Sequence, residues 1–210
     1  MNAPLALAPT STRRPARRLA LAALAVLGLG ALAGMGLNSF LGRGPAEVTV
    51  TDTSGAASFN FRVTGIPVPG KIEGVTPKLT FSVDRLGAAS GTVSLGLNSL
   101  DTGIALRDRH AREFLGVAAH PRVLYTLKRL NVASRIRPGQ TLSGSAEGTL
   151  SLNGVSVPLN SPITLQEAAD GSAITVKTAF NVNFVRHHIR IPGADADTDI
   201  KVVFRLPLHA

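Results

Sequence analysis

From Glu47 to the end of the chain, apolar and polar residues alternate one by one over many short stretches, the period of a strand with one dry face and one wet face. Phe59, Phe61 and Val63 fall on one side while Ser58, Asn60, Arg62 and Thr64 fall on the other. Leu79, Phe81 and Val83 repeat the pattern, as do Val93, Leu95 and Leu97 against Thr92, Ser94 and Asn98. Val123, Tyr125 and Leu127 continue it, although Leu124 and Leu130 fit the opposite register. Leu142, Gly144, Ala146, Gly148, Leu150 and Leu152 then alternate with serines, Glu147 and Thr149, and Ile174 to Phe184 and Ile200 to Leu208 keep the same period. Asn153-Gly154 and Asp170-Gly171 are hairpin-turn pairs. About eight or nine such strands must hide one face each, which a sandwich or a closed barrel can do; meandering hairpins favour the barrel, which also leaves no exposed edge.

One stretch breaks the alternation. Residues 99–125 begin with the turn-rich SLDTG, and Ala105 to Leu115 places Leu106, His110 and Phe114 at helical spacing, predicting one short helix that buries a narrow face. Asp101 or Thr102 is expected to cap the next turns, and Pro121 to stop the helix and start the next strand. The expectation is a lid across one end of the barrel. Whether that barrel is hollow is left open: Gly144, Ala146 and Gly148 on one inward face either leave a cavity or relieve crowding at a barrel corner.

The N-terminal part has a different character. Residues 1–18 are basic and rich in Ala, Pro, Ser and Thr, and residues 19–37 are nineteen uncharged residues, about 28 Å as a helix and long enough for a hydrocarbon core. Arginines on the N-terminal flank keep that end cytoplasmic, so the chain beyond the apolar run is expected to be exported to the periplasm or cell envelope. The small-x-small site Ala31-Leu32-Ala33 allows cleavage as a signal peptide, and the full run allows a membrane anchor; both readings stand. Residues 38–46 form a Gly/Pro linker to a domain at 47–210.

The formal charge of +9 is concentrated there too. With Arg13, Arg14, Arg17, Arg18 and Arg43 removed from 22 basic residues, 17 stand against 13 acidic ones, a net of +4. That is scattered, without the basic stripe that nucleic-acid binding needs. Zero Cys removes disulfides, thiolate metal sites and cysteine nucleophiles. His187 and His188 would point to opposite faces of a strand, and His110, His120 and His209 have no ligand spacing, so no metal site is expected. No hydrolase or phosphate-loop motif is present, and no catalytic residue is assigned. Asp108 and His110 are the pair that an enzymatic alternative would use.

Several segments, in order, resemble the YceI family of lipocalin-like polyisoprenoid-binding proteins. They are Ser99-Leu100-Asp101-Thr102-Gly103; Arg107-Asp108 with His110 and Phe114; Pro121 with Val123 and Tyr125; Gly148 to Gly154 with Val157-Pro158; and the terminal strand from Asp199 to His209. The departures fall near the lid and mouth: no Trp, Ala111-Arg112-Glu113 leading directly to Phe114, and His120 before Pro121. The resemblance implies a single eight-stranded antiparallel barrel whose bore holds an isoprenoid lipid of quinone or polyprenyl type. Its cavity lining would be Phe59, Phe61, Leu79, Phe81, Val93, Leu95, Leu97, Val123, Tyr125, Ala146, Leu150, Phe180 and Phe204. Asp101, Thr102, Arg107, Asp108, His110 and Phe114 would form the lid and turn motif, in a structural role. No cofactor beyond the lipid is implied. A solid-cored envelope interaction module with no small ligand is the competing function.

Overall fold

Each alternating stretch becomes a strand because only pairing satisfies its backbone while one face stays dry. The computed structural model describes residues 48–50 and 55–208. Its strands are β1 (Val48–Val50), β2 (Gly55–Val63), β3 (Ile66–Phe81), β4 (Ser90–Gly96), β5 (Arg122–Asn131), β6 (Thr141–Leu152), β7 (Val155–Glu167), β8 (Ala173–Asn183) and β9 (Asp197–Pro207). The α-helix α1 (Ala105–Phe114) and short 3-10 turns at Leu86–Ala88, Leu97–Ser99 and Phe184–His187 complete the elements among the described residues. The basic terminus, the apolar run at 19–37 and the linker lie outside the described residues. Among the described residues, no helix is long and apolar enough to cross a membrane.

Strand order β3-β2-β9-β8-β7-β6-β5-β4 returns to β3, closing an eight-stranded antiparallel barrel, and β1 adds to β3 through Val48↔Phe81 and Val50↔Leu79. Asn153 and Gly154 both take positive φ in the tight β6–β7 turn. The conflict in β5 has a simple cause. A bulge shifts its register between Leu127 and Arg129, so Leu130 turns inward while Leu124 stays outside.

β7 is asymmetric. It pairs with β6 from Leu152↔Val155 to Thr141↔Gln166, but with β8 only from Ile163↔Thr178 to Glu167↔Ile174. Proline explains the early stop. The Pro162 carbonyl accepts a 2.7 Å hydrogen bond from Thr178 Oγ1 on β8. Backbone groups two residues apart leave a strand on the same side, so Pro158 faces that edge as well. Neither proline has an N–H to offer, and the ladder ends. Toward the lid the gap is bridged by His187, whose Nδ1 lies 3.0 Å from the Val155 carbonyl and whose own carbonyl accepts from Asn153 Nδ2 at 3.2 Å.

The interior holds two apolar clusters. Val50, Leu86, Ile136, Leu142, Ile174 and Phe204 belong to the one that seals the end beneath Leu86–Ala88. Phe61, Ile72, Leu100, Leu115, Val182 and Phe184 belong to the one beneath α1. Leu95 and Tyr125 pack against both.

Candidate functional site

The bore between the two clusters is open: a cavity of about 230 Å³ is walled by residues from all eight barrel strands and roofed by Leu100, Ala111 and Leu115. All thirteen residues assigned to a lining from the sequence stand on its wall. The lining residues include no charged side chain, and their polar members are Ser94, Tyr125, Ser161, Thr178 and Thr198. Leu159, Ser161, Ile163 and Leu165 from β7, and Thr198 from β9, join the predicted lining; their alternation with outward-facing neighbours is the signal that places them on the inner face. The α1 contribution, Ala111 and Leu115, carries no such signal.

The glycines of β6 do not make the hollow. A Cβ at Gly144 would collide with the Asn131 carbonyl oxygen, and one at Gly148 would lie 2.6 Å from Cζ and 2.7 Å from Oη of Tyr125. They admit a neighbouring backbone and a phenol ring, while Ala146 between them lines the cavity.

α1 lies across the mouth with a roll that the spacing of its apolar residues does not predict. Leu106 and Phe114 are 54% and 42% exposed and His110 is exposed; Asp108, Ala111 and Leu115 turn inward instead. The reason is a polar pin. Asp108 Oδ1 accepts from the Thr102 backbone N–H at 2.8 Å and from Thr102 Oγ1 at 2.5 Å, so one oxygen of a carboxylate only 8% exposed takes two hydrogen bonds. Arg107 Nε donates to Thr102 Oγ1 at 2.8 Å, and its Nη2 donates to the Thr102 carbonyl. The hydrogen bond from the Thr102 side chain, then the one from its backbone and the nearby Arg112 and Arg107, hold the Asp108 carboxyl below its ordinary value despite burial. Asp101 closes its own turn, accepting from Gly103 N–H at 2.8 Å, and neither it nor Thr102 caps α1; the N-cap position is Ile104, with no side-chain cap bond. At the other end the helix is stopped by Gly116 rather than by Pro121. Gly116 has φ +67, its N–H donates to Glu113, and the Val117 N–H reaches back to Arg112 at 3.0 Å, the 6→1 and 5→2 closure that needs a left-handed residue.

Charge is held away from the bore. Tyr125, whose Oη finds no hydrogen-bond partner among the described residues, has its pKa pushed up to about 12 by burial and then by Glu147, so the phenol stays protonated. His187 and His188 sit in a 3-10 turn and its left-handed exit rather than in a strand. Burial holds His187 below the usual imidazole range. No group of three or more His, Cys, Asp or Glu among the described residues is placed to hold a metal ion. Asp108 and His110 are not brought together, one being buried under the lid and the other facing out.

A closed eight-stranded barrel with a hollow apolar bore and one helix at its mouth narrows the family sharply, and the model of the YceI-like domain matches residues 48–208. The chain belongs to the YceI-like family. Its barrel is similar to BcnA of Burkholderia cenocepacia, at 13% identity and a TM-score of 0.62, covering 74% of this chain and 99% of that one. A polyisoprenoid-binding domain from Saccharophagus degradans, implicated in plant cell wall breakdown, matches at 14% identity and a TM-score of 0.59, with 75% and 97% covered. The YceI protein of Campylobacter jejuni matches at 16% identity and a TM-score of 0.57, with 68% and 86% covered. At such identities the likeness is one of fold. No match was found among curated proteins.

Proposed function

We propose that this YceI-like domain is a binding protein, not an enzyme, and that its bore sheathes the tail of an isoprenoid lipid as a carrier or store. The observation that carries this is the uncharged, carbon-lined cavity running between the lid and the closed end. Each buried CH₂ contributes roughly 0.8 kcal/mol, so one isoprene unit outweighs a single neutral hydrogen bond at about 1 kcal/mol, and tail length dominates affinity. The polyisoprenoid-binding neighbour supports the same ligand class. A solid-cored module would need a filled interior, and the hollow bore argues against it. The thirteen predicted residues are the proposed contact surface. Residues 19–37 would carry the domain across the inner membrane into the cell envelope and, if uncleaved, hold it there. Organic extraction of the purified full-length chain and mass spectrometry of the extract should yield an isoprenoid, and ubiquinone or menaquinone analogues should raise its melting temperature. No co-purifying lipid together with no thermal shift overturns the binding reading. Intact-mass measurement decides between cleavage near Ala33 and retention of the apolar run.

A further inference from the structure

The exposed apolar side chains of this barrel gather at one pole. Ile66, Ile104, Leu106, Phe114 and Val185, between 42% and 65% exposed, belong to the β2–β3 turn, to α1 with its approach, and to the 3-10 turn Phe184–His187, all at the lid end. The loops of the sealed end, at 82–89, 132–140 and 168–172, expose no large apolar side chain. The lid-end elements are contiguous. A Cβ at Gly116, where α1 ends, would collide with Asn153 Oδ1, and Asn153 Nδ2 donates to the His187 carbonyl at 3.2 Å. The Thr64 N–H donates to the Gly193 carbonyl at 2.6 Å, which ties the β2–β3 turn to the loop after His187. Single exposed apolar residues are ordinary, but a set collected around one opening marks a contact surface. Leu106 and Phe114 are held outward by the Asp108–Thr102 pin, which fixes the roll of α1.

The charge around them has one sign in excess and one chemistry. Residues 99–122 and 184–196 hold six arginines and no lysine against four acidic residues, whereas every lysine of the chain stands on a strand. Asp108 is buried and Asp101 is turned onto the Gly103 N–H, which leaves Glu113 and Asp195 as the other exposed acids there. Arg109, Arg122, Arg186 and Arg190 are exposed and form no ion pair among the described residues. A guanidinium fork matches a phosphate, and cations beside apolar side chains are the composition of a segment that lies in a lipid interface.

We propose that the lid end is a docking face for an anionic lipid bilayer, with Leu106 and Phe114 entering the headgroup layer and Arg109, Arg122, Arg186 and Arg190 meeting its phosphates. The choice of occupant rests on the reading of the bore as a lipid site, because an apolar tail that passes from bilayer to bore at a contact between them never crosses water. A second copy of this face would instead set arginine against arginine.

The chain has no Cys, so Ala105→Cys carries a single dye at the exposed start of α1 and Ser134→Cys carries it on an exposed loop of the sealed end. The full-length labelled chain is reconstituted in unlabelled phosphatidylcholine vesicles, and vesicles with nitroxide-labelled acyl chains, with or without phosphatidylglycerol, are added. The dye at 105 should be quenched by the phosphatidylglycerol vesicles and the dye at 134 should not. Leu106→Ser combined with Phe114→Ser should weaken docking at least about tenfold. Arg109→Gln and Arg186→Gln should each weaken it about fivefold, and less at high salt. Val203→Ser, on the exposed barrel wall, should change nothing, and all these variants should melt close to wild type. Equal quenching of both dyes, or docking that survives the double serine variant and the arginine variants alike, overturns the proposal. So does a lid dye unquenched by every vesicle, and self-association lost in the double variant would then assign the face to a second copy. Lipid retained in the bore beside an unquenched lid dye overturns the docking face alone. A quenched lid dye on a chain that yields no lipid and shows no thermal shift with quinone analogues overturns the bore reading alone.

Discussion

The two ends of the barrel are closed by different physics. At the sealed end, Leu86 and Ile174 are buried almost completely among Val50, Ile136, Leu142 and Phe204, and the seal is apolar area. At the lid end, Leu115 and Ala111 cover the bore, but the roll of α1 is set by hydrogen bonds between Asp108, Arg107 and Thr102, and β7 and β8 have already parted. Apolar area is undirected and sums over many atoms, whereas a polar pin is a few directional bonds that water can replace. On the proposed reading of the bore as a lipid site, the lid end is the one expected to open.

Truncation should show this contrast most strongly at the sealed end. Leu86→Ala should cost roughly 2–5 kcal/mol of global stability in chemical denaturation, since it removes fully buried apolar volume. Asp108→Asn should cost less, roughly 1–3 kcal/mol, and act locally: amide exchange should accelerate across 102–117 while the strands of the sealed end stay protected. Equal, global losses from both variants would erase the distinction. The pH dependence sharpens it. The folded pKa of Asp108 is lowered, so its contribution is complete above the ordinary value of 3.8 and lost as pH falls through the lower folded value; the Asn variant should lack that acid-induced loss.

Glu167 is the exception at the sealed end. It is 5% exposed, its Oε2 has no partner among the described residues, and burial raises its pKa. The folded state therefore favours the protonated form, and a penalty appears as pH rises through 4.5 toward the raised folded value. Glu167→Gln should stabilise by about 1 kcal/mol at pH 7 and by little at pH 4, read from denaturation midpoints at the two pH values. The smallest effect belongs to the outer face of the lid. Leu106→Ser and Phe114→Ser should each change stability by no more than about 0.5 kcal/mol, because neither side chain is in the core. A larger loss would mean that the helix rolls the other way.

The strands, two of the hairpins and much of the strand-borne part of the cavity wall are legible in the sequence because a strand repeats every two residues, and alternation alone sorts Phe59, Leu95 or Phe204 to one face. The β5 conflict between Tyr125 and Leu130 is legible as a conflict, but only pairing with β6 reveals the bulge that resolves it. β3 is harder to see, since Pro67, Pro69 and Pro77 argue against a strand; the first two are tolerated where β3 has β2 on one side and, among the described residues, only the Lys71–Asp101 bridge on the other. The roll of the lid escapes the sequence for a related reason. Spacing counts apolar residues, and a carboxylate with two donors waiting for it six residues upstream outweighs Leu106 and Phe114 in setting the inner face.

Local order thus determined the elements, because turn chemistry and periodicity act between neighbours in the chain. The tertiary structure decided the hollow, the parting of β7 from β8 and the packing of the Tyr125 ring against Gly148, because each depends on what distant strands bring to face it. Whether Gly148 makes a void or houses a ring cannot be read from Gly148; it depends on where the phenol of Tyr125 goes, and closure of the barrel settles that.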